Sequence, residues 1–383
     1  MEKRRGVAGV YTASPELVPA GLRTWSKWYE APTYLRNGHV HTIWAAKARA
    51  APWCRYRRRL LATPDGGTLA LDMLDAISDE TISGVEIVED EENKHPPLKW
   101  GRCLLLLSGL GGGSQDTYVR TMGAYAKARG VAHVAVLNMR SCGESPVTSP
   151  RFFSAYRGST EDVALAVSEL RASLEPSMLA AIGWSNSGTI VVNALAEGLD
   201  VDKACALAAP LDMPLSSANL ERWFHSNVYD RRIGSSLAEK FREHRCLFLD
   251  AAGTPKPVPA WAGGTYVPDI DKATNATSIR VIDEAITAPC FGFPTVEAYY
   301  EFSSANQRLD KVAKPLLVVN AADDPIALWG DLDYLLTKVY ANPNLVFAAT
   351  DHGGHLGWCD AGNPAGAPSW IQACAIDFLF QQT

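Results

Sequence analysis

Short runs of consecutive apolar residues alternate along this chain with longer stretches in which apolar positions recur every three or four residues. The runs at 103–107, 133–138, 178–182, 204–207, 315–320 and 345–349 have the length of strands covered on both faces. Between and after them, 117–128, 159–174, 188–197, 328–339 and 368–380 carry the helical period. Alternation of this kind belongs to βαβ units. It predicts an α/β fold with a mostly parallel central sheet and helices on both faces. The alternation lapses over 211–310, where 220–224, 235–244 and 296–303 read as helices and no strand stands out. An insertion placed there lies above the carboxyl ends of the strands, where open α/β sheets bind ligands, so it reads as a helical lid. The expected organisation is an N-terminal extension packing on the core (1–60), the first part of the core (61–210), the lid (211–310) and the second part of the core (311–383). Two irregular stretches, 85–100 and 250–277, read as excursions from the scaffold, the first as a solvated loop. No internal repeat is visible.

Composition narrows the function classes. With 47% hydrophobic and 20% charged residues over 383 positions, a disordered chain is excluded. The net charge of −6 is opposite to the basic footprint of a nucleic-acid binder. No apolar run approaches the ~18 residues that cross a bilayer. Lys3, Arg4 and Arg5 resemble the start of a signal peptide, but Ser14, Pro15, Glu16 and Pro19 break the apolar stretch that a signal peptide needs. The chain therefore reads as cytoplasmic, with membrane contact at most peripheral. The run Arg55, Arg57, Arg58, Arg59 is a candidate for anionic lipid, or simply a solvated face. Eight cysteines stand singly with no CxxC, so no disulfide framework, metal or cofactor is expected.

The chemistry concentrates at strand ends. Gly183-Trp184-Ser185-Asn186-Ser187-Gly188 follows a strand and opens a helix. A serine on so tight a turn needs small residues two positions to either side, and its hydroxyl is pushed clear of the sheet. Gly183 and Ser187 meet that demand; an ordinary helix cap is the alternative for Ser185. A serine hydroxyl needs a base oriented by a carboxylate. The strand at 315–320 runs into Asp323-Asp324-Pro325, and Asp324 is the preferred acid, with Asp323 as a turn former. The next strand ends in His352-Gly353-Gly354-His355, where His355 is the preferred base and His352 its rival. The order Ser, Asp, His is that of α/β-hydrolases. Ser108-Gly109-Leu110-Gly111-Gly112-Gly113-Ser114 comes after the first core strand, so the backbone amides of Leu110 and Asn186 are candidates for an oxyanion hole. Neither GxxxxGK[ST] nor GxGxxG is present, which disfavours a phosphate cradle.

These residues resemble the YheT-like, embryogenesis-associated branch of α/β-hydrolase-domain proteins, which includes lipid esterases and medium-chain acyltransferases. The marks are Arg36-Asn37-Gly38-His39-Val40-His41-Thr42-Ile43-Trp44, Pro64-Asp65-Gly66-Gly67 with Leu71-Asp72, the Ser108–Ser114 loop with Tyr118 and Arg120, and Asn138-Met139-Arg140-Ser141-Cys142-Gly143-Glu144. Val228-Tyr229-Asp230, Asp283 with Gly292-Phe293, Tyr299-Tyr300, Asp323-Asp324-Pro325 and His352-Gly353-Gly354-His355 continue the series. The resemblance places the family's triad on Ser185, Asp324 and His355. The family usually has Gly where Ser187 stands and His where Ser108 stands. It implies a serine hydrolase acting on carboxylic esters, acylglycerol or otherwise lipid-like. Acyl transfer to an alcohol on the same triad and a catalytically idle binding protein are the alternatives. Trp223, Phe224, Trp261, Phe291 and Phe293 are candidates for an acyl pocket or for core.

Overall fold

The computed structural model describes residues 8–19, 22, 29–78, 84–89, 99–362 and 369–380. The basic residues at 3–5, the acidic stretch from Asp90 to Glu92 and Pro96-Pro97 lie outside them. Twelve strands are present among the described residues: β1 (Gly9–Tyr11), β2 (Trp53–Ala62), β3 (Thr68–Ser78), β4 (Val85–Glu89), β5 (Arg102–Leu107), β6 (His133–Asn138), β7 (Met178–Trp184), β8 (Lys203–Leu207), β9 (Val258–Pro259), β10 (Thr265–Tyr266), β11 (Leu316–Ala321) and β12 (Leu345–Thr350). Ten of them form one sheet in the order β1-β12-β11-β8-β7-β5-β6-β3-β2-β4. The six core strands expected from the apolar runs are its parallel centre.

The two-residue side-chain period of a strand divides each run between two cores. Cys103, Leu105 and Leu107 of β5 face one cluster, with the helices Ser159–Leu174 and Asn186–Ala196. Leu104 and Leu106 face the other, with the helices Thr117–Ala128 and Trp370–Phe380. Every residue of β6, β11 and β12 is buried, which is why those segments read as unbroken apolar runs.

Three differences from the sequence expectation have physical causes. Residues 85–100 are not wholly a loop: β4 adds parallel to β2 at the sheet edge, where one exposed face suits the alternation Val-Glu-Ile-Val-Glu. The stretch 53–62 is a strand rather than a basic patch. Arg55 and Arg57 pair with Asp75, Arg58 with the buried Asp72, and Arg59 with Glu169, so all four guanidiniums are held by carboxylates. Within 211–310, β9 and β10 pair antiparallel, a two-residue ladder too short to leave a periodic signal. Around that ladder 250–269 is turn and irregular structure, and the helices of the segment are chiefly Met213–Leu220, Arg231–His244 and Val296–Ser303. It encloses a small core of its own, in which Phe241 and Phe248 pack with Ile286. The eight cysteines are unpaired and seven are buried. No helix among the described residues is long and apolar enough to cross a membrane.

Candidate active site

Ser185 stands between the last residue of β7 and the helix Asn186–Ala196, with φ 53° and ψ −126°. This is the strained turn expected of the motif, and its amide is tied to the β8 carbonyl of Leu207 at 2.9 Å. The turn closes because position 183 is glycine: a Cβ there would sit 2.3 Å from the Ser187 carbonyl oxygen. Ser187, where the family usually has glycine, fits because its side chain points away, and its hydroxyl donates to the Ser108 carbonyl at 2.5 Å. The bond goes to the backbone at position 108 and not to the serine side chain that is the other departure, and it ties the turn to the loop after β5.

Asp324 follows β11 and is almost fully buried. One carboxylate oxygen accepts the amides of Ile326 (2.7 Å) and Ala327 (2.9 Å), which fixes its plane. The other lies 2.8 Å from His355 Nδ1, and His355 Nε2 lies 3.0 Å from Ser185 Oγ. With the ring proton on Nδ1 donated to the carboxylate, Nε2 is left to accept the serine proton. The fold therefore brings together the three side chains that sequence order singled out.

The rivals sit beside them in another role. Asp323 accepts the Gly354 amide at 2.8 Å and lies 3.3 Å from His352, so this pair shapes the loop that carries His355. Burial lifts the Asp323 carboxyl above its ordinary range, against the Gly354 hydrogen bond and His352. The same loop rests on the helix Gly38–Ala48. Thr42 Oγ1 accepts the His355 amide at 2.8 Å, and a Cβ at Gly38 would overlap the Asp323 carbonyl oxygen. His41 accepts the Cys359 amide at 3.0 Å, and burial, then Arg49, hold its ring neutral by lowering it to about 4. That role for the 36–44 motif gives no signal in the sequence except the motif itself.

Leu110 and Asn186 both border the same cavity as Ser185 and His355, and their backbone amides have no protein acceptor among the described residues. Tyr118 braces the loop by accepting the Gly109 amide at 2.9 Å and donating to Asp116 at 2.8 Å. The cavity measures about 540 Å³. Its apolar wall comes from Phe152, Phe153, Met213, Leu220, Ile233, Leu237, Phe241, Ile282 and Ile286, largely on the segment 211–310. Asp283 also faces it, accepting from Tyr300 at 2.8 Å, and burial raises its carboxyl to about 6.

The five aromatic candidates for an acyl pocket or for core do not border this cavity. Trp223 and Phe224 are exposed and Phe291 is buried elsewhere. Trp261 and Phe293 stack with the Arg157 guanidinium, at 5.1 and 5.2 Å. Helical residues such as Ile233, Leu237 and Phe241 line it instead, legible only as the apolar face of an amphipathic helix.

Comparison with known proteins agrees with this architecture. The pattern of the alpha/beta hydrolase fold matches residues 103–358. Embryogenesis-associated protein EMB8 of Picea glauca is 32% identical over 365 residues, covering 94% of this chain and 73% of the relative. Medium-chain fatty acid ethyl ester synthase/esterase 2 of Saccharomyces cerevisiae is 29% identical, covering 72% of this chain and 61% of the yeast protein. Among solved structures, the Pyrococcus furiosus esterase Pf2001 superposes with a TM-score of 0.51 at 13% identity, covering 85% of this chain and 91% of that one, a likeness of fold. The chain belongs to the α/β-hydrolase fold family, in the branch that contains embryogenesis-associated protein EMB8.

Proposed function

We propose that this protein is a serine hydrolase of carboxylic esters with a lipid-like acyl group. The observation that carries the reading is the unbroken hydrogen-bond chain from Asp324 through His355 to Ser185 at the edge of a largely apolar cavity. Ser185 Oγ attacks the ester carbonyl while His355 Nε2 takes its proton. Asp324 holds the imidazole in the reactive tautomer and stabilises its cation. The amides of Leu110 and Asn186 face the tetrahedral oxyanion. His355 then protonates the departing alcohol, and water resolves the acyl-enzyme by the same steps in reverse.

The apolar wall favours acyl chains over charged acids, and the inserted segment 211–310, which supplies most of that wall, serves as the cap. A second outcome has its own support: a relative is named an ethyl ester synthase as well as an esterase, and an alcohol can replace water in deacylation. The test is a chain-length series of p-nitrophenyl esters with wild type and Ser185→Ala, with and without ethanol. Hydrolysis that rises with acyl length and vanishes in the variant is expected. Equal turnover by both proteins would overturn the reading, and ester synthesis exceeding hydrolysis would assign the transferase.

A further inference from the structure

The helix Gly38–Ala48 has two working faces. Its inner side meets the His355 loop through Gly38 and Thr42, and Ala46 borders the cavity. Its outer side carries Val40 and Ile43, 47% and 41% exposed, with Lys47 one turn further on. Residues three and four apart share a helix face, so these three make one stripe. A neighbouring turn of the inserted segment presents Trp223, 80% exposed, and Phe224, 43% exposed, directly after the exposed Arg222. The two elements are joined: the His39 ring meets the Phe224 ring edge-on at 4.7 Å, and His39 Nδ1 lies 2.9 Å from the Tyr229 hydroxyl.

Single exposed apolar residues are ordinary, but four of them gathered on two joined elements next to the cavity call for an occupant. The charge around them indicates which. The chain as a whole carries −6, yet Arg222 and Lys47 flank this patch with no carboxylate partner among the described residues. Aromatic rings settle at the headgroup level of a bilayer, and flanking cations are drawn to anionic headgroups. By contrast, the arginines at 55–59 are consumed by ion pairs.

We propose that the face formed by Val40, Ile43, Trp223 and Phe224, flanked by Arg222 and Lys47, docks on the surface of an anionic phospholipid bilayer. It rests on the ester-hydrolase reading only for the purpose of the docking, which is to deliver a lipid-like ester to the adjoining cavity. The side chains named lie outside the hydrogen-bonded chain and the cavity wall.

The experiment is co-sedimentation with phosphatidylcholine vesicles, with and without phosphatidylserine, using wild type, Trp223→Ser, the pair Trp223→Ser/Phe224→Ser, and Arg222→Gln/Lys47→Gln. Wild type is expected to bind, more strongly with phosphatidylserine and less at high salt. The aromatic pair should lose binding by about tenfold or more, since two large apolar groups no longer leave water. The charge pair should lose mainly the preference for phosphatidylserine. All variants should hydrolyse a short soluble p-nitrophenyl ester at the wild-type rate, which also shows that they are folded. Wild type that stays in the supernatant, or variants that sediment like it, would overturn the docking. So would a wild-type dimer that Trp223→Ser dissociates, which would make this face an interface between copies. A wild type that binds vesicles but leaves the soluble ester intact would refute the hydrolase reading and spare this one.

Discussion

Replacing Gly183 by alanine tests whether the reactive geometry is set by backbone contact in the turn. The new Cβ would lie 2.3 Å from the Ser187 carbonyl oxygen, 2.6 Å from its carbonyl carbon and 2.8 Å from the Gly188 nitrogen. Ordinary contact begins near 3.4 Å, so β7 and the helix start must part by about 1 Å. Backbone atoms form the obstacle, and no side-chain rotation relieves it. Ser185 and the Asn186 amide lie within the displaced segment, whereas His355 and Asp324 hang from other elements and do not follow. A misplacement of about 1 Å costs about 10² in rate, while overpacking costs about 1–3 kcal/mol of stability. The assay is kcat and KM for p-nitrophenyl butyrate, with thermal unfolding followed by circular dichroism. Gly84→Ala is the control, because its Cβ would meet only the Trp53 ring at 3.7 Å. A folded Gly183→Ala protein with kcat within about threefold of wild type would refute the reasoning.

Further expectations concern other parts of the scaffold. Asp324→Asn keeps its acceptor oxygen for the Ile326 and Ala327 amides but favours the wrong imidazole tautomer, so kcat should fall about 10⁴-fold with little change in unfolding temperature. Thr42→Val removes the acceptor of the His355 amide; a loosened loop should lower kcat about tenfold with KM unchanged, whereas an unchanged kcat would show that the loop holds itself. Arg140 donates in pairs to Asp65 and to the buried Asp162, and Arg140→Leu should cost about 3–5 kcal/mol in urea unfolding at pH 7. Burial alone would raise the Asp65 carboxyl, but the Arg140 and Thr63 hydrogen bonds outweigh it and hold it well below the ordinary range. That stabilisation is present above the unfolded value near 4 and is lost as the pH falls through the folded one, so the gap between the two proteins should narrow in acid. Asp283 has the opposite sign: burial raises it to about 6, so wild-type stability declines as pH rises from about 4 to 6. Asp283→Asn should be the more stable protein at pH 8, by up to about 3 kcal/mol, and equal at pH 4; a difference independent of pH would sink this account.

The parallel centre of the sheet was legible because burial on both faces leaves an unmistakable run: Leu104 to Leu107 cannot alternate when each face meets its own core. The edge strands were obscured by their chemistry. In β2, Cys54 and Tyr56 turn inward while Arg55, Arg57 and Arg58 are neutralised by Asp75 and Asp72 of β3, so what reads as a basic run is one half of a cross-strand charge ladder. Asp72 also accepts from Asn138 at 2.7 Å and from the Ser114 hydroxyl, which ties the loop after β5 to three strands. These polar residues carried no chemistry that spacing alone could decode. The Ser185, Asp324 and His355 positions were legible for the reverse reason, since each follows within a few residues of a readable strand. The cavity wall was not, because its residues share a surface only after the helices of 211–310 have packed.

The hydrogen-bonded chain spans two kinds of support. Ser185 is held by the sheet, through β7 and the Leu207 carbonyl, and Asp324 by the amides of Ile326 and Ala327. His355 has neither, for the described residues between β12 and Trp370 form no helix or strand. Its loop is held by Asp323, which accepts the Gly354 amide, by a helix 313 residues earlier, through Thr42, and by Arg49, which donates to the carbonyls of Leu356 and Gly357. Asn37 caps that helix by accepting the amides of His39 and Val40, so a single side chain fixes where the helix begins and hence where Thr42 meets the loop. The helix lies outside residues 103–358, where the general hydrolase pattern matches, but inside the longer stretch shared with the spruce relative. The common fold therefore supports Ser185 and Asp324 and, through Asp323, part of the His355 loop, while the segment shared with the spruce relative adds the Thr42 and Arg49 contacts that complete its hold.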